Sequence, residues 1–318
     1  MKRRMQGFSM VELMVAIALG LLISAAAIQL FLANQISLNF QRGMNDVQAN
    51  GRFAIDQMTY DTRMSGLAHP QPGDTLNSTI PAVPMIAADI PGLPVASTAL
   101  NRNAFATTAA VSGLLQDSDQ LVTQRAVMNA SGELDCEGNS VPAFVPAKFS
   151  PAPYDAANPN PDARPTHVVS RYYIRTDSGV PSLVCDGGYW YVDKDNVPHL
   201  VNYGAGDAVL LNGVDSFQVL FGVDDRIISG TTNGVPQVAR YMNPAAYALL
   251  PAPQPRVVAV RLGIYLHSME RAGNVTTPGA AVQVLDVAIP AASIPNDGLL
   301  RRLFINTVSL RNIDISGV

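Results

Sequence analysis

The 318-residue chain is 48% apolar, carries 21 basic and 25 acidic side chains for a formal net charge of −4, and contains two cysteines and four histidines. An acidic balance with no basic and aromatic patch argues against direct nucleic-acid binding. No phosphate loop with its lysine, no glycine-framed serine and no zinc-binding helix motif occurs, so the sequence indicates neither an enzyme class nor a cofactor.

The first seven residues, Met1 to Gly7, include Lys2, Arg3 and Arg4, and an apolar run follows from Phe8 to Ala33. A secretory signal has a basic head, a short apolar core and a small-residue cleavage site beyond that core. Here the small residue, Gly7, precedes the core. Cutting after it removes the three basic residues, takes the formal charge from −4 to −7 and leaves the apolar helix on the mature chain. Every residue from Leu13 to Ile28 is apolar or small, and Leu30 to Ala33 extends the run past Gln29. A bilayer core of about 30 Å needs roughly 20 helical residues, which this segment nearly supplies. Glu12 is the odd residue, because a carboxylate in hydrocarbon costs several kcal/mol unless it is paired. Either a cation answers it, or it sits at the headgroup boundary.

The stretch Gly7-Phe8-Ser9-Met10-Val11-Glu12-Leu13 resembles the class III signal of type IV pilins and pseudopilins. The resemblance implies cleavage between Gly7 and Phe8 by a membrane prepilin peptidase, N-methylation of Phe8, and entry into a helical filament through the N-terminal helix. It also implies that Glu12 pairs with the free amine of mature Phe8, its own or a neighbour's. Many such pilins carry a proline midway along the apolar helix. This chain has none there, so any kink or melting on assembly would rest on Gly20 or Gly43.

Beyond the apolar run, Phe40, Met44, Val47, Gly51, Ala54 and Met58 recur at spacings of four and three, which predicts an amphipathic continuation of the helix. Unbroken from Phe8 to about Ser65, it would measure on the order of 85 Å. The alternative is two helices broken near Asn34 or Gly43. The segment Asn50 to Gly66 resembles the end of the N-terminal helix in PilW-type minor pilins and in the J-type pseudopilins of type II secretion, with Gly66 as a helix cap. Arg52 and Arg63 are placed to pair with Asp56 and Asp61, a weak contribution at a surface.

Six prolines between Ala68 and Ser118, and seven more in the stretch from Pro142 to Pro165, predict two long loop regions, with a brief helix at Asn101 to Ala110. Strands are predicted at Gln120 to Met128 and Val168 to Arg175. A hairpin of Ser182 to Cys185 with Gly188 to Val192 is predicted to turn at Asp186-Gly187. Phe217, Val219, Phe221 and Val223 share one strand face, Val258, Val260, Leu262, Ile264 and Leu266 another, and a last strand includes Arg302 to Leu310. The expected fold class is α+β, a long N-terminal helix packed against an antiparallel or mixed sheet. The chain thus divides into a leader (1–7), a helix (8–66, its part 8–33 lying in the membrane or filament core) and a periplasmic β-rich head (67–318) with loops at 68–118 and 142–165. Asp215 to Asp224, Val257 to Leu266 and Arg302 to Asn312 resemble PilW-type proteins in type and order.

Cys136 and Cys185 follow the anchor, on the side where disulfides persist, and are expected to pair. Their bond would close a loop of about 50 residues, nominally about 3 to 5 kcal/mol by loop-closure entropy. No zinc rhythm links His69, His167, His199 and His267. Acidic residues Asp186, Asp193, Asp195, Asp224 and Asp225 invite calcium, but solvated or capping roles are the commoner use and the EF-hand spacing is absent. The resemblance, taken with a length about twice that of a compact pilin domain, points to a minor pilin that takes part in initiating type IV pilus assembly and sits at or near the pilus tip. It would sit in the inner membrane before assembly and in the extracellular pilus afterwards, with other minor pilins, the major pilin, the assembly platform and a tip adhesin as partners. A secretion pseudopilin and a membrane-anchored adhesion module outside any filament are the alternatives.

Overall fold

The computed structural model describes residues 9–65, 118–128, 131–145, 164–192, 198–225, 237–251, 255–271 and 280–310. One helix, α1, runs unbroken over Met10–Met64, so its 55 residues form a rod about 80 Å long. The break near Asn34 or Gly43 does not occur. Its C-cap is Ser65 in an extended conformation, and the expected cap, Gly66, lies outside the described residues. The long loop tract at 68–117, with the helix expected at 101–110, lies outside them too.

Strand β1 (Leu121–Ala126) is followed by two short ladders, β2 (Glu133–Leu134) with β3 (Ser140–Val141) and β4 (Phe144–Val145) with β5 (Arg164–Pro165). The last of these closes the base of the second loop region. Then come β6 (His167–Asp177), β7 (Val180–Val192), β8 (Pro198–Val201), β9 (Ala208–Asn212), β10 (Val214–Asp224), β11 (Arg240–Met242), a short helix α2 (Pro244–Ala248) and β12 (Arg256–Arg271). A hairpin of β13 (Val282–Val284) and β14 (Val287–Ile289) precedes the last strand, β15 (Leu299–Ser309). Every pairing among the described residues is antiparallel. One sheet has the order β1-β6-β7-β8 with β9 also on β7, and the other the order β11-β10-β12-β15. With α1 packed against them the fold is α+β, as the pattern of one long amphipathic helix followed by alternating strands predicts.

The expected hairpin at Asp186-Gly187 is wrong. β7 passes straight through these residues, and the turn lies at Ser178 and Gly179, whose φ values of 49° and 85° make a two-residue turn of the type that matches strand twist. The glycines of β7 serve close packing instead. A Cβ on Gly187 would lie 2.8 Å from the Asp135 carboxyl carbon, and one on Gly188 2.6 Å from the Val201 carbonyl oxygen.

Alternation places Phe217, Val219 and Phe221 opposite Ile264, Leu262 and Val260, on the face that α1 covers with Val47, Ala54, Ile55 and Met58. A register shift after Gly222 pairs Val223 with Val257, so Val257 rather than Val258 joins that core. Leu121, Tyr172, Ile174, Leu183 and Cys185 of the first sheet enter the same core. The corner between the sheets is Gly213 (φ 79°). Its N–H donates to the Pro181 carbonyl and its own carbonyl accepts from the His267 N–H, and a Cβ there would meet the His267 carbonyl oxygen at 2.8 Å.

The helix seat depends on small residues. Val47, Gly51, Ala54 and Met58 of the predicted stripe are buried, whereas Phe40 is 38% exposed because the head begins only at Gly43. Gly43 abuts Leu300 and Ser268, and a Cβ on Gly51 would lie 2.5 Å from the Phe304 ring. Farther along, the Tyr172 hydroxyl donates to the buried Asp61 carboxylate at 2.5 Å, and Asn306 donates to Thr59 Oγ1 at 2.8 Å. Substitution Gly51→Ala is therefore expected to lower head stability by about 1–3 kcal/mol through overpacking. Thermal unfolding of the full chain in detergent measures it, and Gly51→Ala/Phe304→Leu should recover part of the loss.

Candidate functional site

The part of α1 that the head does not cover starts with a cap. The Ser9 side chain accepts the Glu12 N–H at 3.2 Å, and the Ser9 carbonyl accepts the Leu13 N–H. This Ser-x-x-Glu arrangement is one half of a capping box, a signal legible in the sequence that the pilin-like reading of Glu12 passed over. The Glu12 side chain itself points to solvent in the first helical turn. It is the single charged side chain between Met10 and Gln41. Gly7 and Phe8 lie outside the described residues.

From Ser9 to Arg42 every residue is exposed, and the first buried position is Gly43. Between Met10 and Leu38 sixteen large apolar side chains are more than half exposed, among them Met10, Leu22, Ile23 and Leu30. The segment is long and apolar enough to cross a membrane. A helix that is apolar all round needs an apolar environment on every side. The chain thus carries an unburied helical rod about 50 Å long, with Glu12 at its tip and Arg42 where it meets the head.

Several charged groups of the head are engaged with one another. Asp215, 2% exposed at its side chain, is held between His267 Nδ1 at 2.9 Å and Arg301 Nε at 3.0 Å, and Arg301 also grips Asp297 through two hydrogen bonds. The Arg301 bonds hold Asp297 down at about 2. On the far face of the first sheet, Arg171 donates to Gln120 Oε1 and lies 3.7 Å from Asp186, which also accepts the Gly204 N–H. Burial pushes Asp186 up to about 6 against these partners. Of the acidic residues considered for calcium, Asp224 accepts the Gln237 N–H and Asp225 pairs with Arg240, while Asp193 and Asp195 lie outside the described residues. Among the described residues no group of three or more His, Cys, Asp or Glu side chains is placed to hold a metal ion. His167 stacks on Trp190 and His199 on Tyr191. His69 lies outside the described residues.

Cys136 and Cys185 form a disulfide with Cα atoms 6.1 Å apart. It fastens the turn between β2 and β3 to the middle of β7. The Glu137 carboxylate reinforces it by accepting the Gly187 N–H at 2.7 Å, and Asp135 Oδ1 accepts the N–H groups of Glu137 and Asn139.

Residues 171–312, from the middle of β6 to just past β15, match the family described as Type IV Pilus-assembly protein W. This part of the chain is similar to PilW-family proteins. Residues 2–28 separately match the prokaryotic N-terminal methylation motif. The stretch matched at 171–312 holds both long sheets' central strands and the Gly213 corner, and the methylation motif covers the tip of α1 with Glu12. Among solved structures, a type IV-like pilin from Thermus thermophilus is 16% identical, with 62% of this chain and 80% of that one covered and a TM-score of 0.28. No curated protein matches.

Within the matched stretch, the raised Asp186 makes a signed prediction. A carboxyl whose folded value lies above its unfolded one binds more protons when folded. Its contribution to stability is full below about pH 4 and is lost as pH rises through about 6. Asp186→Asn keeps the acceptor for Gly204 and leaves Arg171 its bond to Gln120. Thermal unfolding between pH 4 and 7 should show a smaller fall with rising pH in the variant than in the natural protein. Parallel curves would place the titration elsewhere.

Proposed function

We propose that the protein is a minor pilin that takes part in starting type IV pilus assembly and sits at or near the pilus tip. The observation that carries the proposal is the bare apolar half of α1 with a lone carboxylate at its end, on a chain whose head contains a stretch similar to PilW-family proteins. Cleavage after Gly7 puts a new amine on Phe8, four residues before Glu12, and N-methylation leaves that amine cationic. A carboxylate in a helix bundle needs such a partner. The amine of a neighbouring subunit can supply it when the two helices are staggered along their axes.

The size of the head supports a low copy number. A chain of 318 residues is about twice a compact domain of roughly 150 residues, and a bulky head crowds a filament built from many copies less when it stands at one end. In this reading the prepilin peptidase processes the chain and α1 spans the inner membrane once, with the head in the periplasm. The assembly platform then moves it into contact with the other minor pilins and the major pilin, and a tip adhesin is a further partner.

Glu12→Ala tests the reading. The backbone N–H that Ser9 caps is retained in the variant, so helix initiation and membrane insertion are expected to persist. Recovery in sheared pili should fall at least tenfold while the amount in the membrane fraction stays the same. Undiminished recovery of the variant with pili would contradict the assignment, and recovery of the natural protein solely with a type II secretion machine would move it to the pseudopilins.

A further inference from the structure

The head closes around α1 with a basic rim. The helix becomes buried at Gly43, which lies against Leu300 and Ser268. There β12 ends and β15 begins, with Arg271 paired to Leu299 across the two strands. Three exposed arginines surround this exit. Arg42 directly precedes Gly43, the first buried residue of α1, and Arg271 ends β12. Arg302 leans on the helix with Nη1 3.6 Å from Met44 Sδ and its guanidinium above the Phe304 ring. None of the three has a carboxylate partner among the described residues. Arg301, between them, is already saturated by Asp215 and Asp297. The acidic groups nearby are Glu270 on the rim and Asp46, one turn farther up α1. Three arginines without a carboxylate partner among the described residues therefore stand at this exit, on a chain whose formal charge is −4.

Its height above the membrane follows from the helix. From Ala33, where the apolar run ends, to Arg42 the rise is about 14 Å at 1.5 Å per residue. Headgroups occupy roughly 5–8 Å beyond the hydrocarbon on each side. The gap left between rim and headgroups is about 6–9 Å, close to the Debye length of about 8 Å at physiological ionic strength, and helix tilt narrows it. Arginine side chains can bridge such a distance with guanidinium groups suited to paired hydrogen bonds with phosphate. Met269, 52% exposed beside Glu270 and Arg271, adds an apolar side chain to the same rim.

We propose that Arg42, Arg271 and Arg302 bind the anionic phospholipid headgroups of the membrane that α1 spans, holding the head down on the bilayer until the helix is drawn into a filament. This rests on the membrane-anchored reading of α1 above. The arginines are then a docking collar that lipid occupies before assembly and that is vacated when the helix leaves the bilayer.

The test uses the full chain in nanodiscs of zwitterionic lipid alone or with one third phosphatidylglycerol, a nitroxide at Met269→Cys, and nickel chelated to a small fraction of lipid headgroups. Collision of the nitroxide with nickel should rise severalfold in the anionic discs and return to the zwitterionic value in high salt. The variant Arg42→Gln/Arg271→Gln/Arg302→Gln should show no response to lipid charge. Equal collision in both discs, or a triple variant that still responds, would overturn the collar. The salt titration of the natural sequence decides the matter even if the variant folds poorly. Recovery of the chain outside the discs would instead remove the membrane anchor, and the collar with it.

Discussion

A helix can leave apolar side chains in water only at a cost that the rest of its chain must match. Along the uncovered half of α1, sixteen large apolar side chains are more than half exposed. At about 1.5–3 kcal/mol for each fully buried side chain, the stabilisation forgone in water is on the order of 20–40 kcal/mol. Water is therefore not the medium of this segment. Lipid satisfies it, and so does a bundle of other such helices, and passage from the first to the second exchanges one apolar surround for another. In the proposed assembly, Glu12 is what gives that exchange a direction. Lipid offers its carboxylate no partner, while a cationic chain terminus on a neighbouring helix does.

The second half of the helix meets the opposite requirement, a fixed seat on the head. Gly43 and Gly51 let the backbone approach Leu300 and the Phe304 ring, and Val47, Ala54 and Met58 complete a core shared with both sheets. Polar ties at Asp61 and Thr59 sit toward the far end of the rod. A pull on the exposed half is thus passed into β12 and β15 rather than absorbed by a hinge, because α1 contains no break between Met10 and Met64. The disulfide and the paired carboxylates stiffen the sheets that receive this load.

The long helix, its inward stripe and the central strands were legible because each follows a single period, 3.6 residues along α1 and 2 along β10 and β12. The pairing of two lone cysteines was legible for a simpler reason, since each had no other partner to choose. What the sequence hid were features set by contacts between distant segments. Asp186-Gly187 reads as a turn because that dipeptide usually is one. It is a strand interior because Asp135 and Val201 press against β7 and leave no room for side chains, while the less conspicuous Ser178-Gly179 makes the turn. The spacing starts the inward stripe of α1 at Phe40, yet burial starts only at Gly43. Periodicity does not register where a neighbouring sheet stops. The capping role of Ser9 was readable from Ser-x-x-Glu but lay behind the signal written over the same residues.

The state of the chain terminus decides whether Glu12 has its cation. Intact-mass and terminal-peptide spectrometry of the native protein, taken from membranes and from sheared filaments, reads it directly. A mature chain beginning at N-methylated Phe8 in both fractions is the predicted result. Recovery from filaments of a chain that still carries Met1 to Gly7 would contradict it, since a terminus seven residues away leaves the carboxylate unanswered.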